Sequence, residues 1–195
     1  PSLDVRPYFK RNYLYGETMT HILGYVGRIN DRDVERLKKE EKFANYAGST
    51  DMGKLGIERY YEEQLHGTTG FEEVEINNRG KVIRKLREQP ATAGKSIHLT
   101  IDLALQRYIM SLLSGQKGAV VVLDPKDNSV LAMVSTPSYD NNLFVDGISA
   151  SDYKRLLDDP ARPLYSRATQ GVYPPASTVK PFVAVAALTE GVITP

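Results

Sequence analysis

The strongest constraint in this sequence is a proline-framed segment near its C-terminal end. Residues 173–181 read Tyr-Pro-Pro-Ala-Ser-Thr-Val-Lys-Pro and lead directly into an apolar run at 182–188. The two consecutive prolines hold the approach extended, and the apolar run predicts a helix of the buried type. If that helix begins near Ala176, Ser177 and Lys180 lie about one turn apart on the same face.

A serine and a lysine in this arrangement have the geometry of a nucleophile and its base. A serine hydroxyl is a poor nucleophile at neutral pH unless an adjacent group takes its proton. A lysine does so when desolvation or nearby positive potential lowers its pKa from about 10.4. The free N–H groups and positive dipole of the helix start would surround Ser177. Because Pro181 has no N–H to donate to the Ser177 carbonyl, we expect a local distortion at the site.

A Ser-x-x-Lys tetrapeptide also occurs by chance, so the surrounding sequence decides its meaning. Penicillin-recognising enzymes use this tetrapeptide for their nucleophile, and residues 167–181 resemble the active-site region of class B penicillin-binding proteins. Four further segments resemble the same family in the same order along the chain. They are residues 53–61 in the first domain, 99–106 at the opening of the transpeptidase domain, and 118–125 and 130–140 in its first hairpin.

The resemblance implies an α+β fold in two parts. The first is an N-terminal pedestal, or dimerisation-type, domain, and the second is the beginning of a serine β-lactamase-like transpeptidase domain. Residues 88–95 have linker composition, so we place the boundary there, with domains at 1–94 and 95–195. Residues 142–148 and 162–164 look most like the elongation-specific type, penicillin-binding protein 2 of Gram-negative rods.

Some positions depart from the family pattern. Ala176 stands where glycine is usual, and Ser166 where asparagine is common. Leu14 departs from the Tyr-Pro-x-Gly that is usual at this place in the family. Ala176 restricts the turn if its φ is positive.

The family's Ser-x-Asn and Lys-Thr-Gly motifs do not follow Lys180, and one oxyanion donor, the Ser177 N–H, is present without the second. The chain therefore reads as a fragment, and we expect little activity from it alone and an uncovered apolar face at residues 182–188.

The function that the resemblance implies is peptidoglycan D,D-transpeptidation during cell elongation. Ser177 would be the nucleophile and Lys180 the base, with stem peptides as substrates and β-lactams as trapping analogues. The implied partners are a polytopic glycan polymerase and a periplasmic scaffold protein of the elongation complex. The implied location is the periplasmic face of the inner membrane, with an anchor segment that is absent from this sequence.

Two alternatives remain open at this point. A serine D,D-carboxypeptidase or a penicillin sensor would share the nucleophile and release the acyl group to water, or not release it. A non-catalytic interaction module would use the pedestal domain to dock elongation proteins.

Composition excludes several other classes. The 195 residues carry 25 basic and 24 acidic side chains and a formal net charge of +1, which gives no global field for nucleic acid. No cysteine is present, so disulfide and thiol chemistry are excluded. His21, His66 and His98 are scattered without metal-ligand spacing, so we expect neither a metal site nor a cofactor. His21 is interpreted as a packed or hydrogen-bonding residue of the first domain.

Periodicity and turn residues predict the elements of the first domain. A polar helix starts at Asn30-Asp31 and runs through Glu41. Asp51 caps a second helix at 55–65, which ends at Gly67. Residues 71–76 and 81–86 form a hairpin across an Asn-Asn-Arg-Gly turn. Its basic side chains form a solvated face: Arg79, Lys81, Arg84, Lys85 and Arg87.

The second domain is predicted in the same way. Residues 97–101 form a strand, and residues 103–113 a helix with Asp102 as N-cap. The apolar face of that helix consists of Ile109, Leu112 and Leu113. Residues 120–123 and 130–134 pair as strands, and residues 151–158 form a short helix.

Overall fold

The computed structural model describes residues 9–194. Within them, helices and three separate two-stranded antiparallel sheets are interleaved along the chain. The α+β prediction is therefore confirmed. In the first half, helices α1 to α5 and strands β1 to β4 follow in this order: α1 Gly16–Leu23, β1 Val26–Arg28, α2 Asp31–Lys39, α3 Phe43–Tyr46, β2 Asp51–Gly53, α4 Gly56–Tyr60, α5 Glu62–His66, β3 Phe71–Ile76 and β4 Val82–Gln89.

The second half contains helices α6 to α9, strands β5 and β6, and two 3₁₀ turns. They are α6 Leu103–Leu112, β5 Gly118–Leu123, β6 Val130–Thr136, the 3₁₀ turn Asn141–Phe144, α7 Ala150–Asp158, α8 Arg167–Gln170, the 3₁₀ turn Ala176–Val179 and α9 Lys180–Thr189. The predicted helices at 103–113 and 151–158 and the predicted hairpin at 120–134 are confirmed.

Helix α2 starts where the sequence predicts. The Asn30 side chain accepts the Asp33 N–H, and the Asp33 carboxylate accepts the Asn30 N–H, which forms a capping box. The helix ends at Lys39, before the predicted Glu41, because Glu41 adopts a left-handed φ of 58°. Its buried Leu37 packs with Tyr46 and Met52 in the core of the first half.

The predicted cap at Asp51 is wrong. Asp51 lies in β2 and pairs with Arg28 of β1. Its backbone is therefore part of a β-ladder and not of a helix N-terminus. The helical region is also divided into α4 and α5 at Tyr61, which has φ −104° and ψ 21°. Gly67 follows α5 with φ 74°, as expected for a glycine that ends a helix.

The hairpin of β3 and β4 is confirmed, and its second strand continues to Gln89. Every residue of β4 is exposed. On its surface Arg84 pairs with Glu75 and Lys85 with Glu72, both at 2.6 Å. The basic cluster is therefore a solvated face, as predicted. Exposed ion pairs of this kind contribute little to stability.

The linker-like residues 88–95 pack back onto the first half. Thr92 pairs with Thr68 in an isolated bridge, and the Lys95 N–H donates to the Gln64 carbonyl at 2.7 Å. The boundary after residue 94 remains a prediction.

No strand forms at 97–101, so that prediction is wrong. The Thr100 hydroxyl donates to the Val130 carbonyl at 2.6 Å, and the Asp102 N–H donates to the Leu131 carbonyl at 2.8 Å. The first of these bonds uses a side chain rather than the backbone, so the segment lies beside the start of β6 without a ladder. Asp102 then caps α6 by accepting the Leu105 N–H.

Helix α6 packs on β6 to form the core of the second half. Buried Ile109, Ala132 and Val134 form its centre, and partly buried neighbours surround them: Leu105, Met110, Leu113, Val120 and Val122. Leu112, which was predicted to face the core, is 59% exposed. Ile109 and Leu113 pack in this core, whereas Leu112 does not.

Helix α1 joins the two halves through Gln106 of α6, which is 1% exposed. The Gln106 amide nitrogen donates to the Thr18 carbonyl of α1 at 3.0 Å and to the Met133 carbonyl of β6 at 2.9 Å. Its amide oxygen accepts the Met133 N–H at 2.9 Å. One side chain therefore satisfies backbone groups from both halves of the chain.

Further polar contacts extend this junction between the halves. The Thr20 hydroxyl donates to the Tyr139 carbonyl at 2.7 Å, and the Asn141 amide donates to the Gly24 carbonyl at 2.7 Å. His21 packs edge-on against the Tyr139 ring, 5.7 Å between centroids. Burial lowers the pKa of His21 from its ordinary value. The predicted packing of His21 is confirmed, and this aromatic partner comes from the second half.

We predict that Gln106→Met lowers the free energy of unfolding by about 3 kcal/mol. Methionine has a similar volume, but three backbone hydrogen bonds lose their partner, and leaving buried polar groups unpaired is costly. Urea denaturation of the variant measures the effect. Gln116→Met is the matched control, because Gln116 is exposed, and equal stability of the two variants would contradict the assigned role.

Candidate active site

The predicted distortion at the Ser-x-x-Lys segment is confirmed. Ser177 lies in the 3₁₀ turn Ala176–Val179, and Lys180 begins helix α9. Because Pro181 has no N–H, the Ser177 carbonyl cannot accept the usual α-helical bond from that position. It accepts the Lys180 N–H instead, in an i to i+3 bond. The 3₁₀ geometry at the serine thus follows directly from the sequence.

The 3₁₀ turn places Ser177 and Lys180 on the same face. With about three residues per turn, side chains at i and i+3 eclipse one another. Both residues are exposed, and within residues 9–194 no hydrogen bond joins the two side chains. The backbone therefore orients the pair, while the described residues do not supply the desolvation that a lysine base requires.

The Ser177 N–H is free to act as an oxyanion donor. In the part of the chain that the structure describes, no acceptor takes this N–H, in keeping with its place at the start of a helical turn. The neighbouring turn is held by Thr178, whose N–H donates to the Pro175 carbonyl at 3.2 Å and whose hydroxyl donates to the same oxygen.

Ala176, immediately before the serine, adopts a φ of 47°. This is the left-handed region, where an L-residue with a Cβ is strained. Glycine, usual at this position in the resembling family, adopts it freely. The turn that presents Ser177 is therefore strained by the methyl group that the sequence analysis identified.

The apolar side chains of α9 are uncovered among the described residues. Phe182, Val183 and Val185 are exposed by 75%, 59% and 63%. The expected uncovered face at residues 182–188 is confirmed.

Helix α8 attaches the serine segment, residues 172–180, to the body of the protein through contacts that no local sequence pattern predicts. The Arg167 N–H donates to the hydroxyl of Ser135 on β6 at 2.8 Å. The Arg167 guanidinium donates to the Ala161 carbonyl at 2.6 Å. Ser135 and Arg167 are 32 positions apart in the sequence, and no local pattern links such a pair.

Neither a metal centre nor a membrane span is found among residues 9–194. No group of three His, Asp or Glu side chains there is placed to hold a metal ion. In the same range, no helix has the length and apolar character needed to cross a bilayer.

Family comparisons account for most of the chain. The penicillin-binding protein dimerisation domain matches residues 1–99, and the penicillin-binding protein transpeptidase domain matches residues 118–195. The chain belongs to the penicillin-binding protein family. Ser177 and Lys180 lie within the transpeptidase match, as the Ser-x-x-Lys assignment requires.

Individual penicillin-binding proteins are similar over the whole chain. The peptidoglycan D,D-transpeptidase MrdA of Haemophilus influenzae is 85% identical over 195 residues, 100% of this chain and 30% of that protein. The chain thus spans about a third of the length of such relatives.

Two solved structures have the same fold. The crystal structure of Pseudomonas aeruginosa PBP2 in complex with WCK 5153 has a TM-score of 0.76 and 46% identity, covering 98% of this chain and 37% of that one. PBP2 of Helicobacter pylori in complex with MreC has a TM-score of 0.81 and 31% identity, covering 95% of this chain and 34% of that one. The resemblance to the PBP2 type is confirmed.

We predict opposite effects for two substitutions at Ala176. Ala176→Gly should raise the free energy of unfolding by about 0.5 kcal/mol, because relief of left-handed strain of about 1–2 kcal/mol exceeds the greater freedom of unfolded glycine. Ala176→Val should lower it by about 1 kcal/mol, because a β-branched residue tolerates positive φ poorly. Denaturant titration of both variants measures the order, and a more stable valine variant would contradict the strained turn.

Proposed function

We propose that the protein containing this chain is a peptidoglycan D,D-transpeptidase that cross-links stem peptides during cell elongation. The observation that carries the proposal is the i to i+3 bond from the Lys180 N–H to the Ser177 carbonyl, which sets the two side chains on one face. The chain around them is 85% identical to a protein named for this activity. That name favours transpeptidation over the carboxypeptidase and sensor alternatives.

Acylation would begin at the Ser177 hydroxyl. The oxygen attacks the carbonyl carbon of the penultimate D-alanine as Lys180, in its neutral form, takes the hydroxyl proton. The carbonyl oxygen, on which negative charge develops, accepts a hydrogen bond from the free Ser177 N–H. The C–N bond to the terminal D-alanine then breaks, and the leaving amine takes the proton back from Lys180.

Deacylation would complete the cross-link. An amine of a neighbouring stem peptide attacks the Ser177 ester and loses a proton to Lys180, which returns it to the serine oxygen as the ester bond breaks. A β-lactam carbonyl takes the place of the D-alanine carbonyl in the first step, and Ser177 is trapped as a stable ester.

We predict that Ser177→Ala abolishes covalent labelling of the full-length protein by a fluorescent penicillin. Lys180→Met should slow labelling about a hundredfold or more, because a general base contributes about 10²–10⁴-fold. Fluorescence of the protein band over time measures both effects. Ser114→Ala is the control, since it removes the hydroxyl of an exposed serine outside this turn and should retain labelling. Labelling of Ser177→Ala would refute the assigned nucleophile.

We further propose that the protein acts at the periplasmic face of the inner membrane with a periplasmic scaffold protein and a polytopic glycan polymerase. The similar Helicobacter pylori protein is described in complex with MreC, and the likeness covers 95% of this chain. The predicted pedestal at residues 1–94 is the part available for docking, since the active-site residues lie after it.

A pull-down separates docking from catalysis. We predict that immobilised full-length Ser177→Ala protein retains the purified scaffold protein of its own organism as well as the unaltered protein does, because docking does not need the nucleophile. The retained fraction is measured on gels against beads without protein. Retention no greater than on the empty beads would contradict the docking role.

A further inference from the structure

Within residues 9–194, the serine segment makes no hydrogen bond to β5 or β6, and helix α8 supplies the polar contacts to the body of the second half. Residues 172–180 are all exposed, and among the described elements α9 packs mainly against the 3₁₀ turn that precedes it. Helix α8, by contrast, packs on both β5 and β6. The position of Ser177 relative to the sheet therefore depends on how α8 is held.

Arg167 holds α8 in place at two levels. Its backbone N–H donates to the hydroxyl of Ser135, which is 3% exposed in β6. Its guanidinium donates to the Ala161 carbonyl at 2.6 Å and to the Arg162 carbonyl at 3.4 Å. A planar guanidinium can bond two carbonyls at once, which a lysine ammonium on a flexible stem does less well.

The side chain of Tyr165 contacts both Arg167 and the end of α8. The Arg167 guanidinium lies 5.8 Å from the centroid of the Tyr165 ring. The Tyr165 hydroxyl donates to the carbonyl of Gln170, the last residue of α8, at 2.6 Å. The first and last residues of α8 therefore both contact the Tyr165 side chain.

The connection from α8 to Ser177 is stiff. A Cβ on Gly171 would lie 2.4 Å from the Arg167 carbonyl oxygen and 2.4 Å from the Tyr173 ring, so the chain is folded tightly at this point. Pro174 and Pro175 have fixed φ angles, and Thr178 bonds back to the Pro175 carbonyl. A displacement of α8 is therefore passed along to the serine rather than absorbed between them.

We propose that Arg167 is a positioning residue, whose side chain fixes the place of Ser177 by holding α8 to the Ala161 and Arg162 carbonyls, while its backbone N–H holds the same helix to Ser135 of β6. The proposal rests on the proposed function, because it takes Ser177 to be the nucleophile. Arg167 does not touch the reacting atoms. Its effect is on the orientation of the serine, and a displacement of about 1 Å can cost about a hundredfold in rate.

The test uses the full-length protein and its acylation by a fluorescent penicillin over a range of concentrations. This separates the dissociation constant of the initial complex from the rate constant of acylation. We expect Arg167→Ala to lower the acylation rate constant about tenfold to a hundredfold, with the final amount of label and the melting temperature unchanged. Arg167→Lys should recover part of the rate.

Arg162→Ala is the matched control. Its guanidinium lies 4.8 Å from the centroid of the same Tyr165 ring, and among the described residues its side chain makes no hydrogen bond to α8. We expect acylation at the unaltered rate. Hydrogen exchange provides a second readout, in which the amides between residues 172 and 179 exchange faster in Arg167→Ala than in Arg162→Ala.

An unaltered acylation rate in Arg167→Ala overturns the proposal, whatever exchange shows. If Arg167→Ala does not unfold cooperatively, Arg167→Lys and Ser135→Ala decide instead, and unaltered rates in both overturn it. Labelling of Ser177→Ala, or no labelling of the unaltered protein, would mean that the proposed function has failed. In that case the hydrogen-exchange rates still test whether Arg167 holds residues 172–179 in place.

Discussion

The buried side-chain amide of Gln106 is the contact on which the arrangement of the two halves depends. It bonds the backbone of α1 and both backbone groups of Met133 in β6. Because an amide offers donors and an acceptor at one point, it can satisfy a helix and a strand together. The α6–β6 core, and with it the sheet that carries Ser135, is thereby fixed relative to the first half.

Local signals predicted most of the elements but not how they come together. The caps at Asn30 and Asp102 and the prolines around Ser177 act within a few residues, so their effects could be derived from the sequence. The strands β1 and β2 have three residues each, too few to show alternation. The errors at Asp51 and at 97–101 arose because pairing across the chain decides whether an extended segment joins a ladder.

The candidate site likewise combines local features that the sequence predicted with long-range contacts that it did not predict. The spacing of Ser177 and Lys180, the effect of Pro181 and the strain at Ala176 were all predictable, because each depends on neighbouring residues. The attachment of α8 through Ser135 and Arg167 was not, because a hydroxyl in β6 and a helix 32 residues later carry no shared pattern. Such long-range polar contacts emerge only from the folded geometry.

The place of α1 has a consequence for recombination between relatives. A chimera joined within residues 88–95 would pair α1 of one parent with α6 and β6 of the other. The Gln106 contact would survive such an exchange, because it is made to a backbone carbonyl of α1 and does not depend on the side chain there. The edge-on packing of His21 against Tyr139 would not be so tolerant, since it needs matching rings from both parents. Compatibility between parents therefore depends on the side chains that cross the junction, namely the His21 and Tyr139 rings and the Thr20 hydroxyl.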